Sequence, residues 1–292
     1  MYAFHVIERG SGHIRDNKPC QDYATSCCTD DYAIAIIADG HGSERYFRSD
    51  SGSRLAAVIA KLILRDFLIA TKNMTHLPQG DWQKQVAASI ISNWNDLIEQ
   101  DKTNNPFTEE ELSRLSDAER QQVEADMWQF AYGTTLLAIV RTKKCFFGLH
   151  IGDGKCVAID AEGNCSQPIP WDDDCFLNQT TSLCDSDAIN RFRFVYMTDN
   201  LPVAAFVASD GLDDTYTSDE RLYEFYSTLF KMLRDNRDTA IADLQAFLPG
   251  MSEQGSHDDI SIAGIVNTTT KENNHGQFSN IIKRLITKIS RS

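Results

Sequence analysis

Four places in the 292-residue sequence carry aspartates in settings suited to binding a cation: Asp39-Gly40, Asp153-Gly154, Asp210-Gly211 and Asp258-Asp259. The first three follow an apolar run or its hairpin exit (YAIAIIA, CFFGLHIG and AAFVAS), and the fourth immediately precedes one (ISIAGIV). Taken singly, an Asp-Gly pair is a common turn signal. Repeated at the ends of buried strands, it places several rigidly held carboxylates where one sheet edge can bring them together. Carboxylates at close range repel and cannot all stay ionised without cations. Hard divalent ions such as Mg²⁺ or Mn²⁺ take oxygen ligands, whereas thiols or several imidazoles would indicate zinc. A glycine after the aspartate lets the backbone approach an ion closely. Two such ions a few ångströms apart can activate a water and hold a phosphate oxygen together.

The elements that must position these residues can be read from pattern. Tyr32–Asp39 is almost unbroken in apolar character, which predicts a strand buried on both faces. Residues 135–141 and 145–151 are separated by a short polar link and predict an antiparallel hairpin. Residues 155–160 are expected to continue that meander after a Gly-Asp-Gly turn, with 204–209 and 260–266 as two further strands. Helical spacing of apolar residues marks 53–71 and 82–99. Thr108 followed by Glu111 reads as a capping box for a charged helix through about Met127. Residues 218–234 and 239–248 are two more helices, the second expected to stop at Pro249-Gly250. Hairpins with intervening helix pairs predict a layered α+β domain rather than a regular βαβ alternation. Residues 160–201 lack regular periodicity and read as a long binding loop.

Composition excludes several classes. A net charge of −14 argues against a nucleic-acid binder. The apolar runs are too short to span a bilayer, and the N-terminus does not read as a secretion signal, so a cytoplasmic location is expected. The eight cysteines form no CxxC pair and predict reduced, structural thiols. After Val266 the composition changes. Residues 268–292 hold five basic residues against one acidic, a net +4 that leaves −18 on residues 1–267. This stretch reads as a polar linker and a basic amphipathic tail helix, docked on the acidic body or reaching a partner or membrane surface.

In order, CQDYA (20–24), ADGHGS (38–43), YGTTLLAIV (132–140), HIGDGKCVAI (150–159), ASDGL (208–212) and SHDDISIAGI (256–265) resemble the motifs of the PPM, or PP2C-type, serine/threonine phosphatases. The resemblance covers roughly residues 10–266, and GHIRDNKPCQD is most similar to the bacterial branch. It implies an αββα sandwich of two antiparallel sheets flanked by helix pairs, with 160–201 as a flap-like segment of a domain over 1–267. It also implies a metal-activated water as nucleophile and two core Mg²⁺ or Mn²⁺ ions with a possible third. Asp39 matches the bridging ligand and Gly40 a carbonyl ligand. Asp210 and Asp258 match the other ligands of the first metal, Asp22 an acidic residue of the metal shell, and Asp153 the aspartate of a third metal. Gly133-Thr134-Thr135 matches a structural turn. His41 matches a proposed general acid, a task suited by a near-neutral pKa; a metal ligand or a cleft-wall hydrogen bond is the alternative. His257 is a weaker candidate.

Two departures stand out. Gln21 occupies a position where some members carry a glutamate ligand. The phosphate-gripping arginine of many members has no aligned counterpart; Arg15 is the nearest, with a plain surface charge as its other reading. Expected partners are phosphoserine and phosphothreonine proteins and a partner kinase or its targets, for a monomeric enzyme. The other readings are a two-metal phosphodiesterase or small-molecule phosphatase, and a non-catalytic scaffold of the same fold.

Overall fold

The computed structural model describes residues 1–267 except 78, 176–178 and 217. The predicted linker and tail helix at 268–292 therefore lie outside the described residues. Ten strands are present among those described: β1 Tyr2–Glu8, β2 Asp22–Cys28, β3 Tyr32–Asp39, β4 Leu136–Thr142, β5 Phe146–Ile151, β6 Lys155–Ile159, β7 Cys165–Ser166, β8 Arg193–Met197, β9 Ala204–Ala208 and β10 Ile260–Val266. They form two sheets, ordered β1-β10-β9-β6-β7 and β2-β3-β4-β5-β8, with every pairing antiparallel.

The unbroken apolar strands are explained by burial on both faces, and alternation sorts their residues between two cores. From β3, Ile34, Ile36 and Ala38 face helices, while Ala33, Ala35 and Ile37 face the opposite sheet. β9 divides likewise, with Phe206 and Ala208 toward helices and Ala205 and Val207 inward. Many of the inward residues are alanines, which lets the two sheets approach closely.

The helices are α1 Ser11–Arg15, α2 Ser49–Ala70, α3 Trp82–Asn104, α4 Glu109–Ser113, α5 Asp117–Glu124, α6 Ala188–Arg191, α7 Asp210–Asp213, α8 Asp219–Asp235 and α9 Arg237–Gln254. α2 and α3 cover one sheet, with Leu64, Ile90 and Trp94 fully buried against it. α8 and α9 cover the other through Phe225, Tyr226, Leu244 and Leu248. The architecture is the αββα sandwich.

Four local expectations are corrected. The charged helix from Thr108 is two helices, because Ser116 and Glu119 form a second capping box in its middle. α9 passes through Pro249 rather than stopping there. Its last turn is held by burial of Met251 and by Ser252, whose hydroxyl donates to the Asp258 carbonyl at 3.0 Å. β6 does not continue the β4–β5 meander. It belongs to the other sheet, so Gly152-Asp153-Gly154 carries the chain between sheets, with Gly152 at φ +117°. The segment 160–201 is not wholly irregular either, since it contains β7, α6 and the edge strand β8.

Candidate metal centre

The carboxylates converge because the strand ends do. Asp22 and Asp39 are direct cross-strand partners in the β2–β3 register, so their side chains share a face. Asp210 opens α7 immediately after β9, and Asp258 immediately precedes the adjacent strand β10. Asp153 arrives on the loop that crosses between sheets. Asp39, Gly40, His41, Asp153, Asp210 and Asp258 all line one cleft of about 730 Å³. Asp22 lies behind them, 5% exposed, close to Ser209 and Ser261.

The electrostatics show what gathering these carboxylates costs. Burial, then the charges of Asp22, Asp210, Asp153 and Asp258, push the Asp39 carboxyl far above its usual range. Burial, then Asp259, brings Asp22 to about 8. Burial, then Asp153, brings Asp210 to about 7, with Asp39 close enough to share a hydrogen bond. Asp153 is raised as well, by burial first. The Oδ2 of Asp22 is buried with no hydrogen-bond partner among the described residues. An orphaned carboxylate oxygen within a ring of repelling oxygens fits hard divalent cations, and among the described residues no thiol or second imidazole lines the cleft.

The scaffold around the cluster is tightly tied. A Cβ on Gly40 would stand 2.6 Å from the Ser49 carbonyl oxygen and 2.7 Å from that of Gln21. Only glycine allows this approach. Gln21, at the position where some family members carry glutamate, is instead a donor. Its Nε2 reaches Ser49 Oγ at 2.6 Å and the His41 carbonyl at 3.1 Å. A glutamate could not donate these bonds. Asp259, fully buried beside Asp258, accepts from the backbone amides of Gly10 and Gln21, each at 2.6 Å, and its Oδ2 lies 2.9 Å from His13 Nδ1. Burial raises its pKa, but these partners outweigh burial and hold it below the ordinary value. The ligand atoms of His13, Asp258 and Asp259 fall within 4.8 Å of one another. With Asp259 saturated by donors, this group is a structural knot that fixes α1, the start of β2 and the start of β10.

His41 is held by its backbone, donating to the Gly133 carbonyl at 3.1 Å, and its ring packs edge-on against Tyr46 at 4.7 Å. Burial, then the nearby Arg45 cation, lowers its pKa to about 4. Burial and Arg45 thus oppose the near-neutral pKa that would suit a general acid. His257 is exposed, with its ring nitrogen 3.1 Å from Ser11 Oγ, and does not line the cleft.

Arg15 is not brought to the cleft. Its side chain is 72% exposed and pairs with Asp16 at 3.0 Å, which fits the surface-charge reading rather than a phosphate grip. Two other arginines do line the cleft, Arg45 and Arg191. Arg191 is committed to Asp187 at 2.7 Å, Asp174 at 3.3 Å and Asp185 at 3.8 Å. Arg45 has the single carboxylate of Glu119 at 3.5 Å, and its guanidinium lies 4.7 Å from the centre of the Phe130 ring. Sequence reasoning also passed over Asp214, which lines the cleft. Its signal was available, because it follows Asp210 by one helical turn in DGLDD.

Comparison with known proteins agrees with this geometry. The profile of the family described as Protein phosphatase 2C matches residues 9–249. The chain belongs to that family. It is accordingly a metal-dependent phosphoprotein phosphatase. No curated protein matches the sequence at a significant level. Among solved structures, the serine/threonine phosphatase Stp1 from Staphylococcus aureus aligns with a TM-score of 0.55 at 14% identity, covering 92% of this chain and 96% of that one. The PstP/Ppp phosphatase of Mycobacterium tuberculosis aligns with a TM-score of 0.52 at 15% identity, covering 92% and 100%. The catalytic domain of PstP in complex with two manganese ions aligns with a TM-score of 0.52 at 17% identity, covering 91% and 98%. At these identities the solved structures speak to the fold, and the family profile speaks to the class of enzyme.

Proposed function

We propose that the protein hydrolyses phosphoserine and phosphothreonine monoesters of proteins in the cytoplasm, opposing a partner kinase. The observation that carries the site assignment is the convergence of Asp39, Asp153, Asp210 and Asp258 in one cleft over the buried, orphaned Asp22. Asp39, the Gly40 carbonyl, Asp210 and Asp258 would hold two Mg²⁺ or Mn²⁺ ions, with Asp22 supporting them from behind and Asp153 with Asp214 at a third position. When bound, the ions supply an activated water and neutralise charge on the phosphoryl oxygens.

The chain's own groups do the rest. The carboxylates would fix the ions within the cleft. Arg45, the least committed side-chain cation of the cleft, holds a phosphate oxygen. A phosphate dianion arriving beside His41 opposes the effects of burial and of Arg45, and so raises the imidazole pKa. His41 then gives its proton to the departing serine or threonine oxygen. No covalent phospho-enzyme is needed.

The test is turnover of a phosphothreonine peptide with Mn²⁺ or Mg²⁺, compared with a phosphodiester and with the same reactions in EDTA. Monoester hydrolysis that EDTA abolishes is expected; preference for the diester would overturn the substrate class. For the phosphate grip, Arg45→Ala should lower kcat/KM for the peptide by about 10- to 100-fold, the scale of one hydrogen bond to a charged group. Arg15→Ala should leave it within about twofold, in line with an exposed pair. The reverse ranking would return the role to Arg15.

A further inference from the structure

A second groove adjoins the metal cleft. Its volume is about 540 Å³, and Ile91, Met127, Phe130, Leu183 and Ile189 give it an apolar lining. Asp185 lines both spaces. Phe130 is shared in another way, since the Arg45 guanidinium that faces the cleft lies over its ring.

The groove is also fixed rigidly to the cluster. The Asp39 carbonyl accepts from Thr134 Oγ1 at 2.9 Å. The Thr134 carbonyl in turn accepts from the Leu183 amide at 2.9 Å and Ser182 Oγ at 3.1 Å. Two hydrogen-bonded steps therefore connect the cluster to the groove wall. Met127, 55% exposed, also lines the groove. Contiguous apolar surface in a concave site beside a functional cleft is where proteins take up ligands and partner segments.

We propose that this groove takes the residues flanking the phosphorylated side chain of a protein substrate, and selects an apolar side chain among them. The inference rests on the phosphatase reading above and names the sequence class it acts on. A phosphoserine or phosphothreonine in the cleft is a single residue of a longer chain, and that chain must leave past the cleft walls. The exit over Asp185 leads directly onto apolar surface. A flanking leucine, methionine or phenylalanine fills it and removes both surfaces from water. A flanking acidic residue meets Asp185 and Glu99, which line the same groove, and is repelled.

The experiment uses the full chain with Mn²⁺ and three substrates: p-nitrophenyl phosphate, a phosphothreonine peptide with glycine and serine flanks, and the same peptide with leucine and phenylalanine flanks. The apolar peptide is expected to exceed the polar one by about tenfold or more in kcat/KM. Met127→Glu should remove most of that preference while leaving p-nitrophenyl phosphate turnover within about twofold, and Met127→Leu should retain it. Equal turnover of the two peptides by the wild type, or an unchanged preference in Met127→Glu, overturns the proposal. If Met127→Glu accelerates all three substrates alike, the occupant is a segment of this chain, such as the basic stretch 268–292, and the proposal fails. If the wild type hydrolyses none of the three, the phosphatase reading itself fails and this inference goes with it.

Discussion

Asp39→Asn is expected to lower phosphopeptide turnover by about a thousandfold or more at saturating Mn²⁺, the scale of losing a main electrostatic stabiliser of the transition state. The reason is positional. Asp39 ends a strand buried on both faces, and it is the carboxylate on which Asp22, Asp210, Asp153 and Asp258 all act. The amide keeps the shape but removes the negative charge and replaces one acceptor oxygen with an N–H donor that repels a cation. Its fold should persist, because the substitution also removes repulsion among buried charges. Circular dichroism reports the fold, and calorimetric Mn²⁺ titration should show at least one ion lost. A rate within tenfold of wild type, with normal Mn²⁺ stoichiometry, would place the ions elsewhere.

The second large effect concerns the protein in EDTA. Asp22 at about 8 and Asp210 at about 7 stand well above an unfolded aspartate, so the folded state holds protons that the unfolded chain has released. Stability must therefore fall as pH rises through this range. Below about pH 6.5 the effect is masked, since the buried His41 and His150 are held neutral and the unfolded histidines bind the extra protons there. Between about pH 6.5 and 8 the carboxylates decide, and His13, raised first by its hydrogen bond to Asp259, acts in the same direction. The melting temperature should drop by about 3–5 °C per pH unit for each such proton. Saturating Mn²⁺ should flatten the slope, because a cation replaces the protons. A melting temperature that rises from pH 6.5 to 8 in EDTA would contradict this account.

How far the sequence carried depends on what each signal measures. The strands leading to Asp39 and Asp210 were legible because burial on both faces leaves long apolar runs. β1 and β2 were not, since they are sheet edges whose outer positions carry polar residues, such as the exposed His5 and the half-buried Ser26. The turn Gly152-Asp153-Gly154 has the same local chemistry whether the next strand stays in its sheet or changes sheet. Only the three-dimensional pairing of β6 with β9 separates the two cases. Pro249 signals a helix stop, yet tertiary burial of Met251 overrides it. Among site residues, the aspartates showed themselves through repetition. Arg45 did not, because a lone arginine gives no sign of which surface it faces. Gln21 looked like a missing ligand, and only its partners Ser49 and His41 disclose it as a donor.

The knot at Asp259 has a consequence for how the enzyme becomes active. It joins Gly10 to a residue 249 positions later, and the strand it precedes pairs with β1 along its whole length. Contacts this distant in sequence form late and slow the search for the native state. During synthesis, the earlier aspartates emerge long before Asp258 and β10 exist to complete their ring. A nascent or partly collapsed chain thus offers scattered carboxylates with no fixed geometry for an ion. Loading with divalent cation consequently selects molecules whose two sheets have already closed upon each other, and phosphatase activity appears only at the end of folding.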